Sequence, residues 1–424
     1  MNRRSFLSMG AAAGATLWLP RAFGAQAASA AEVAQAGAAL GGPTNRGYGN
    51  LLILVELKGG NDGLNTVIPF ADPVYYQLRK NIGIKRDQAI QLDERTALHP
   101  SLQSLMPLWQ SRQLAIVQGV SYAQPNLSHF RSIEIWDTAS RSDQYLREGW
   151  LTRAFAQTPV PAGFAADGLV IGSAEMGPLA NDARVIALVN PAQFVKAARF
   201  ATPVPLHERN PEFAHIRDVE NDIVKAANHL RPTQAEAQWK TVFPGGAFGS
   251  SIKTAMQVLA ASDAPKQVLL GNTPQRQPKS GQGVAVIRLT LNGFDTHQNQ
   301  SGQQTALLRQ LAEGFVSMKS ALMELGRWDQ TLVMTYAEFG RRPRENQSNG
   351  TDHGTVAPHF VMGGRVLGGL YGVPPVLARL DGNGNLPVGV DFQQLYATVL
   401  GPWWGLDAST ILQQRFEPLP LLRV

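Results

Sequence analysis

The run Leu51-Leu52-Ile53-Leu54-Val55-Glu56-Leu57 shows no regular alternation of polar and apolar residues. A strand with one wet face alternates with a period of two. A near-continuous apolar run belongs to a strand covered on both faces, as in a parallel sheet between helix layers. The pattern returns at Leu114–Gly119, Val284–Leu291 and Thr331–Thr335, with a shorter piece at Phe360–Met362. Between these runs lie segments of helical spacing: about 101–111, 303–326 (Leu307, Leu308, Leu311, Phe315, Met318, Leu322), and a stretch near 391–400. This order predicts an α/β fold, a doubly wound and mostly parallel sheet flanked by helices. Forty-one glycines and 27 prolines predict many turns and long loops between the elements.

The stretch from about 141 to 280 has another character. It holds short strand-like pieces (Gly168–Ser173, Val185–Val189), helical patterns near 209–230 and 247–261, and many prolines. It reads as a helical insertion within a single domain that runs from 50 to 424. No internal repeat interrupts that reading.

The N-terminus carries an address. Asn2-Arg3-Arg4-Ser5-Phe6-Leu7 is a twin-arginine pattern, followed by a modestly apolar stretch and small residues, with cleavage positions after Ala27 or Ala30. The apolar stretch is shorter than the roughly 20 residues of an ordinary membrane span. Residues 1–27 are therefore expected to be a twin-arginine signal peptide, 28–49 a flexible Ala- and Gly-rich leader, and the mature protein periplasmic or secreted, without a transmembrane span. The export machinery is an implied partner. Cleavage removes Arg3, Arg4 and Arg21 and no acid, which takes the formal +6 to about +3. So mild and dispersed a charge argues against nucleic acid as a partner. The chain has no cysteine, so any metal must be held by His, Asp, Glu, Ser or Thr.

Polar groups gather where the apolar runs end, which in open α/β sheets is where ligands bind. Asp62 lies in the glycine-rich loop after the first run, and Ser128 with His129 opens the helical pattern after the second. Asp295 and His297 follow the third; Glu338, Arg341, Arg342, Asp352 and His353 follow the fourth. Carboxylates and imidazoles converging at one rim suit a divalent metal that activates a hydroxyl or water and neutralises a phosphoryl or sulfuryl group. The two arginines suit bidentate anion recognition. Each signal also has a plain reading: Asp62 as a turn or cap, Ser128 as an N-cap, His129 on a helix surface, Asp295-Thr296-His297 as a capping turn, and the arginines as solvated loop charge. His99, His207, His215, His229 and His359 are read as structural.

With the twin-arginine leader, the segments LKGGNDGLNTVIP, NLSHFRSIEIW, GFDTHQNQ, EFGRRPREN and GTDHGTVAPHFVMGG resemble the family called domain of unknown function 1501, over essentially all of 51–400. That family in turn resembles the alkaline phosphatase and sulfatase superfamily, whose core is a doubly wound α/β sheet with two metal sites. The resemblance implies hydrolysis of phosphate or sulfate esters, with one or two divalent ions as cofactors. It implies Ser128 as nucleophile, and Asp62, Asp295, His297, Glu338 and His353 as metal ligands. Arg341 or Arg342 would steady a small anionic ester or an envelope glycan. One departure is marked: Phe339 stands where the superfamily places a metal-binding His, and phenylalanine binds no ion. One site is then a ligand short unless Asp352 or another residue substitutes. A second departure is the tighter spacing from Asp295 to His297. Phe339 keeps open an alternative, a non-catalytic binding or assembly protein of the envelope on the same fold.

Overall fold

The computed structural model describes residues 47–189, 239–263 and 283–423, together with short strands at 15–18, 266–270 and 273–277. The remainder of the expected signal peptide, the leader up to residue 46, the expected helix near 209–230, and His207, His215 and His229 lie outside the described residues. The architecture is α/β. A ten-stranded mixed sheet runs in the order 15–18, 185–188, 168–171, 286–292, 51–58, 331–336, 357–362, 114–121, 369–372, and the pair 390–391 adds beside 114–121.

The pairings are parallel from Val185–Leu188 through Thr331–Tyr336, and again where 369–372 and 390–391 join 114–121. Ala357–Met362 runs antiparallel to both of its neighbours. The edge strand Ala15–Trp18 is also antiparallel. The segment expected as an insertion contributes two parallel strands, Gly168–Ile171 and Val185–Leu188, to this same sheet.

The missing alternation in the first run has a direct cause. Leu51, Ile53, Val55 and Leu57 face one core layer, packed with the helices Gly246–Asp263 and Gln300–Glu324 and the turn-and-helix at 100–110. Leu52 and Leu54 face the opposite layer, with Trp150, Phe392, Tyr396 and Trp403. Both faces are dry, so both sets of positions are apolar except for Glu56, which is buried in an ion pair with Arg288. Gln300–Glu324 buries Leu307, Leu308, Leu311, Phe315, Met318 and Leu322, the helical set legible in the sequence.

The polar stretch after Tyr336 is a hairpin rather than a loop, with Gly340–Glu345 antiparallel to Thr351–Gly354 and Arg341 opposite His353. Among the described residues no helix is long and apolar enough to cross a membrane.

Candidate metal centre at the strand ends

The sheet order makes neighbours of Val286–Asn292, Leu51–Lys58 and Thr331–Tyr336, all parallel. Their C-terminal loops therefore emerge side by side and bring Asp295, Gly59-Gly60 and Glu338 together. The contact is tight enough to require glycine. Gly59 has φ +114°, and a Cβ there would lie 2.3 Å from the Asp295 nitrogen. Gly60 has φ +82°, and its Cβ would lie 2.5 Å from the Phe339 ring. The Gly59 N–H donates to Glu338 Oε1 at 2.9 Å.

Three imidazoles meet at one carboxylate. His297 Nε2 is 3.0 Å and His353 Nε2 3.2 Å from Asp295 Oδ1, and His129 Nε2 is 3.5 Å from Asp295 Oδ2. His297 Nε2 and His353 Nε2 are 3.0 Å apart. Each ring has an oxygen behind its other nitrogen. His353 Nδ1 donates to the Leu127 carbonyl at 2.8 Å, and His129 Nδ1 lies 3.0 Å from Glu338 Oε1. Asp352 Oδ1 sits 3.7 Å from His297 Nδ1. Leu127 offers only an acceptor, so His353 carries its proton on Nδ1 and turns the Nε2 lone pair toward Asp295. Oxygen acceptors that fix the outer nitrogen are the usual support of metal-binding histidines.

Among the described residues, donor atoms of His129, Asp295 and His353 lie within 4.8 Å of one another. Three imidazoles and a carboxylate form a donor set that suits zinc or a similar borderline divalent ion. The Glu338 hydrogen bond raises the pKa of His129 and favours its protonated form, whose Nε2 proton an ion would have to displace, while desolvation lowers that of His353 and favours its neutral, ligating form. Desolvation alone would raise Asp295, but the Arg341 guanidinium that bonds it holds it below the ordinary range and ionised.

The other residues singled out in the sequence are placed differently. Asp62 is buried, and its carboxylate is taken up by the Arg79 guanidinium (2.8 Å from Nη2 to Oδ1, with a shorter contact from Nη1), by Gln300 Nε2 and by the Leu64 N–H at 3.2 Å. It anchors the Gln300–Glu324 helix and is not among the converging donors. Glu338 backs His129 and does not itself face Asp295.

Ser128 is exposed, immediately before the helix His129–Thr138, and its hydroxyl caps nothing. Arg341 is buried with all three guanidinium nitrogens engaged. They bond the carbonyls of Gly60 (2.9 Å), Thr351 (3.0 Å), Phe294 (3.1 Å) and Gly59, and Asp295 Oδ1 at 2.5 Å. The donors of this residue, expected from the sequence to bind an anion, are thus turned to these groups of the protein. Arg342, next along the same strand and half-buried, makes no bond to the cluster. Phe339 packs against His353 (ring centroids 4.4 Å apart) and His129 (4.9 Å).

His129 was absent from the ligand set read from the sequence. The signal that could have found it is its place beside Ser128, at the first turn of the helix after a buried strand. The cluster opens on a cleft of about 840 Å³ lined by His129, Asp295 and Glu338 together with Glu56, Phe130 and Asp137.

A family model described as Protein of unknown function (DUF1501) matches residues 50–415, so the chain belongs to that family. Curated proteins give no match. Solved structures similar to the chain include the lipoteichoic acid synthase LtaP from Listeria monocytogenes (11% identity, 77% of this chain and 71% of that one, TM-score 0.35). Alkaline phosphatase from the Antarctic bacterium TAB5 is similar at 11% identity, over 76% of this chain and 94% of that one, with TM-score 0.33. The C-terminal periplasmic domain of EptC from Escherichia coli, in complex with Zn, is similar at 8% identity, over 74% and 72%, with TM-score 0.32.

Proposed function

We propose that this member of the DUF1501 family is an exported, metal-dependent hydrolase of phosphate or sulfate esters. The observation that carries the reading is the convergence of the Nε2 atoms of His129, His297 and His353 on the Asp295 carboxylate, with the His129 and His353 rings each held by an oxygen at Nδ1. These four residues would hold one divalent ion. With Asp62 bound to Arg79 and Gln300, and Phe339 offering no donor, a second complete ligand set is not supported. When bound, the ion would supply Lewis-acid chemistry, neutralising charge on a phosphoryl or sulfuryl group and promoting deprotonation of a hydroxyl.

The protein's own groups supply the rest. Ser128 presents an uncapped, exposed hydroxyl next to His129 and is the nucleophile in this reading. Glu338 and the Leu127 carbonyl hold two rings in their ligating orientation, and Phe339 shields the inner side of the His129–His353 pair from water. The twin-arginine pattern Arg3-Arg4 supports export to the periplasm or beyond.

One observation favours the second reading, a non-catalytic envelope protein that uses this site to bind a glycan, anion or partner. The arginine expected to bind the substrate anion, Arg341, is engaged with backbone carbonyls and Asp295. The experiment is metal analysis of protein purified without chelator, paired with ester hydrolysis by wild type and Ser128→Ala. We expect about one divalent ion per chain in both and hydrolysis in the wild type alone. A wild type with no bound ion and no activity on phosphate or sulfate esters overturns the hydrolase reading.

A further inference from the structure

We propose that the cleft beside the His–Asp cluster binds the organic part of the ester and that this part carries an ammonium group. The inference rests on the hydrolase reading for the word ester, but the ammonium subsite stands on its own geometry. Glu56, Asp137 and Glu338 all line the cleft. Glu56 and Glu338 are 0% and 3% exposed. Among the described residues, each of the three carboxylates has one buried oxygen without a hydrogen-bond partner: Oε1 of Glu56, Oδ1 of Asp137 and Oε2 of Glu338.

Two of these carboxylates are fixed through their other oxygen. Glu56 Oε2 accepts from Arg288 at 2.7 Å and Thr290 at 3.0 Å, and Glu338 Oε1 accepts from Gly59 and His129. A buried acceptor left unpaired is costly, so each of these oxygens favours a ligand that donates to it. Ionised carboxylates only accept, so a group that completes this site must donate.

Charge selects among donors. The nearby cations are engaged elsewhere: Arg288 with Glu56, Tyr336 and the Glu175 carbonyl, and Lys58 with Glu175 at 2.6 Å. Glu134, also on the cleft wall, pairs with Arg131. Arg147 is exposed at the lip. Among the described residues Asp137 has no cationic hydrogen-bond partner, and the carboxylates lining the cleft outnumber the lysine and arginine that line it. Desolvation raises the Asp137 carboxyl well above its ordinary range against the attraction of Arg288, and raises Glu56 likewise, so a cation bound beside them is what would favour their ionised, accepting form. An anion would be repelled here, and a neutral hydroxyl would donate without relieving the charge. An ammonium does both. Phe130, 88% exposed at the start of the same helix, adds an aromatic face suited to an alkylammonium. The substrate class is therefore a zwitterionic ester, its anionic end at the histidines and its ammonium end in the cleft.

The test compares butylammonium with 1-butanol, probes of similar shape, by ligand-detected NMR titration of the full chain. Butylammonium should bind about tenfold more tightly to wild type. Asp137→Asn, and separately the surface change Phe130→Ala, should each reduce that preference while leaving metal content unchanged. Equal binding of the two probes to wild type overturns the proposal, as does a preference that survives in both variants. Tighter binding of a neutral polyol such as glucose overturns it in favour of a sugar site. The two readings fail separately. Bound metal with ethyl phosphate hydrolysis but no ammonium preference rejects the subsite alone. An ammonium preference that Asp137→Asn abolishes, in a protein without metal or hydrolysis, keeps the subsite and rejects the hydrolase.

Discussion

Asp295→Asn separates the two tasks that this carboxylate performs. The first is structural, as the counter-charge of Arg341, whose side chain is 0% exposed. Removing one partner of a fully buried pair costs about 3–5 kcal/mol. Asp295 is 45% exposed, however, and Arg341 keeps four carbonyl acceptors, so solvent screening and these bonds reduce the expected cost to about 1–2 kcal/mol. The second task is to gather three imidazoles around an ion. A ligand present at a hundredfold its Kd stabilises the native state by about 2.7 kcal/mol. For a chain of this length that corresponds to a rise in Tm of about 3 °C. Differential scanning calorimetry on dialysed protein, with and without zinc, reads both tasks at once. Wild type should gain the few degrees. Asp295→Asn should melt slightly lower without metal and gain nothing when zinc is added. A variant that keeps the zinc-dependent shift, or a wild type that shows none, refutes the assignment of the cluster as a metal centre.

Other consequences are open to measurement. Phe339→His places an imidazole against His353 and His129 and should raise zinc affinity or stoichiometry by equilibrium dialysis, whereas unchanged binding would mean that the set is already complete. Gly60→Ala puts a Cβ 2.5 Å from the Phe339 ring at a positive φ, and urea unfolding should show a loss of about 1–3 kcal/mol; a neutral result would contradict the tight loop contact. His359 is fully buried with its pKa pushed down to about 3 by desolvation, while in the unfolded chain it protonates near 6.5. Below 6.5 the unfolded state therefore binds the extra proton, so stability falls as pH drops from about 6.5 toward 3, by roughly 2 kcal/mol at pH 5. His359→Gln should flatten that part of the pH–stability curve in urea melts, and an unchanged slope would assign the acid loss elsewhere. Replacing Arg3 and Arg4 with lysine should leave the precursor in the cytoplasm on fractionation, and normal processing would point to another export route.

The strands were legible because burial on both faces leaves a mark that no single-sided strand makes. Leu51 to Leu57 could hardly be anything else once helices pack on either side. The hairpin at 340–354 was not legible, because its strand GRRPRE carries no apolar pattern. What holds it is the Arg341 guanidinium reaching carbonyls of distant loops, a non-local feature that spacing does not record. His129 was ambiguous for a similar reason. An imidazole on a first helical turn becomes a candidate ligand only through Glu338, which lies 209 positions away in the chain. Asp62 had the right position after the right strand, yet Arg79 and Gln300 reach its carboxylate from 17 and 238 residues away. Sequence position brought the polar groups to one rim, and long-range partners decided which of them face the cleft.

Arg341 shows how that decision is made. A solvated arginine beside a metal-type cluster would recognise anions, and the doublet Arg341-Arg342 invited that reading. The strand places Arg341 opposite His353, however, with its side chain directed inward beneath the loops. There one planar guanidinium bonds Gly59, Gly60, Phe294 and Thr351 and reaches Asp295 as well. Lysine has a single nitrogen and could not span these acceptors, so the fork geometry matters as much as the charge. By joining the loops after two neighbouring strands to the hairpin that bears His353, Arg341 fixes the separation of Asp295 from that histidine. It also holds Asp295 ionised, which keeps the carboxylate available as a ligand. The positive charge thus acts on the ligand set rather than on the substrate. In the proposed reading, recognition of the rest of the substrate falls to the acidic cleft that Glu338 also lines, which is why the unpaired oxygens there bear on specificity.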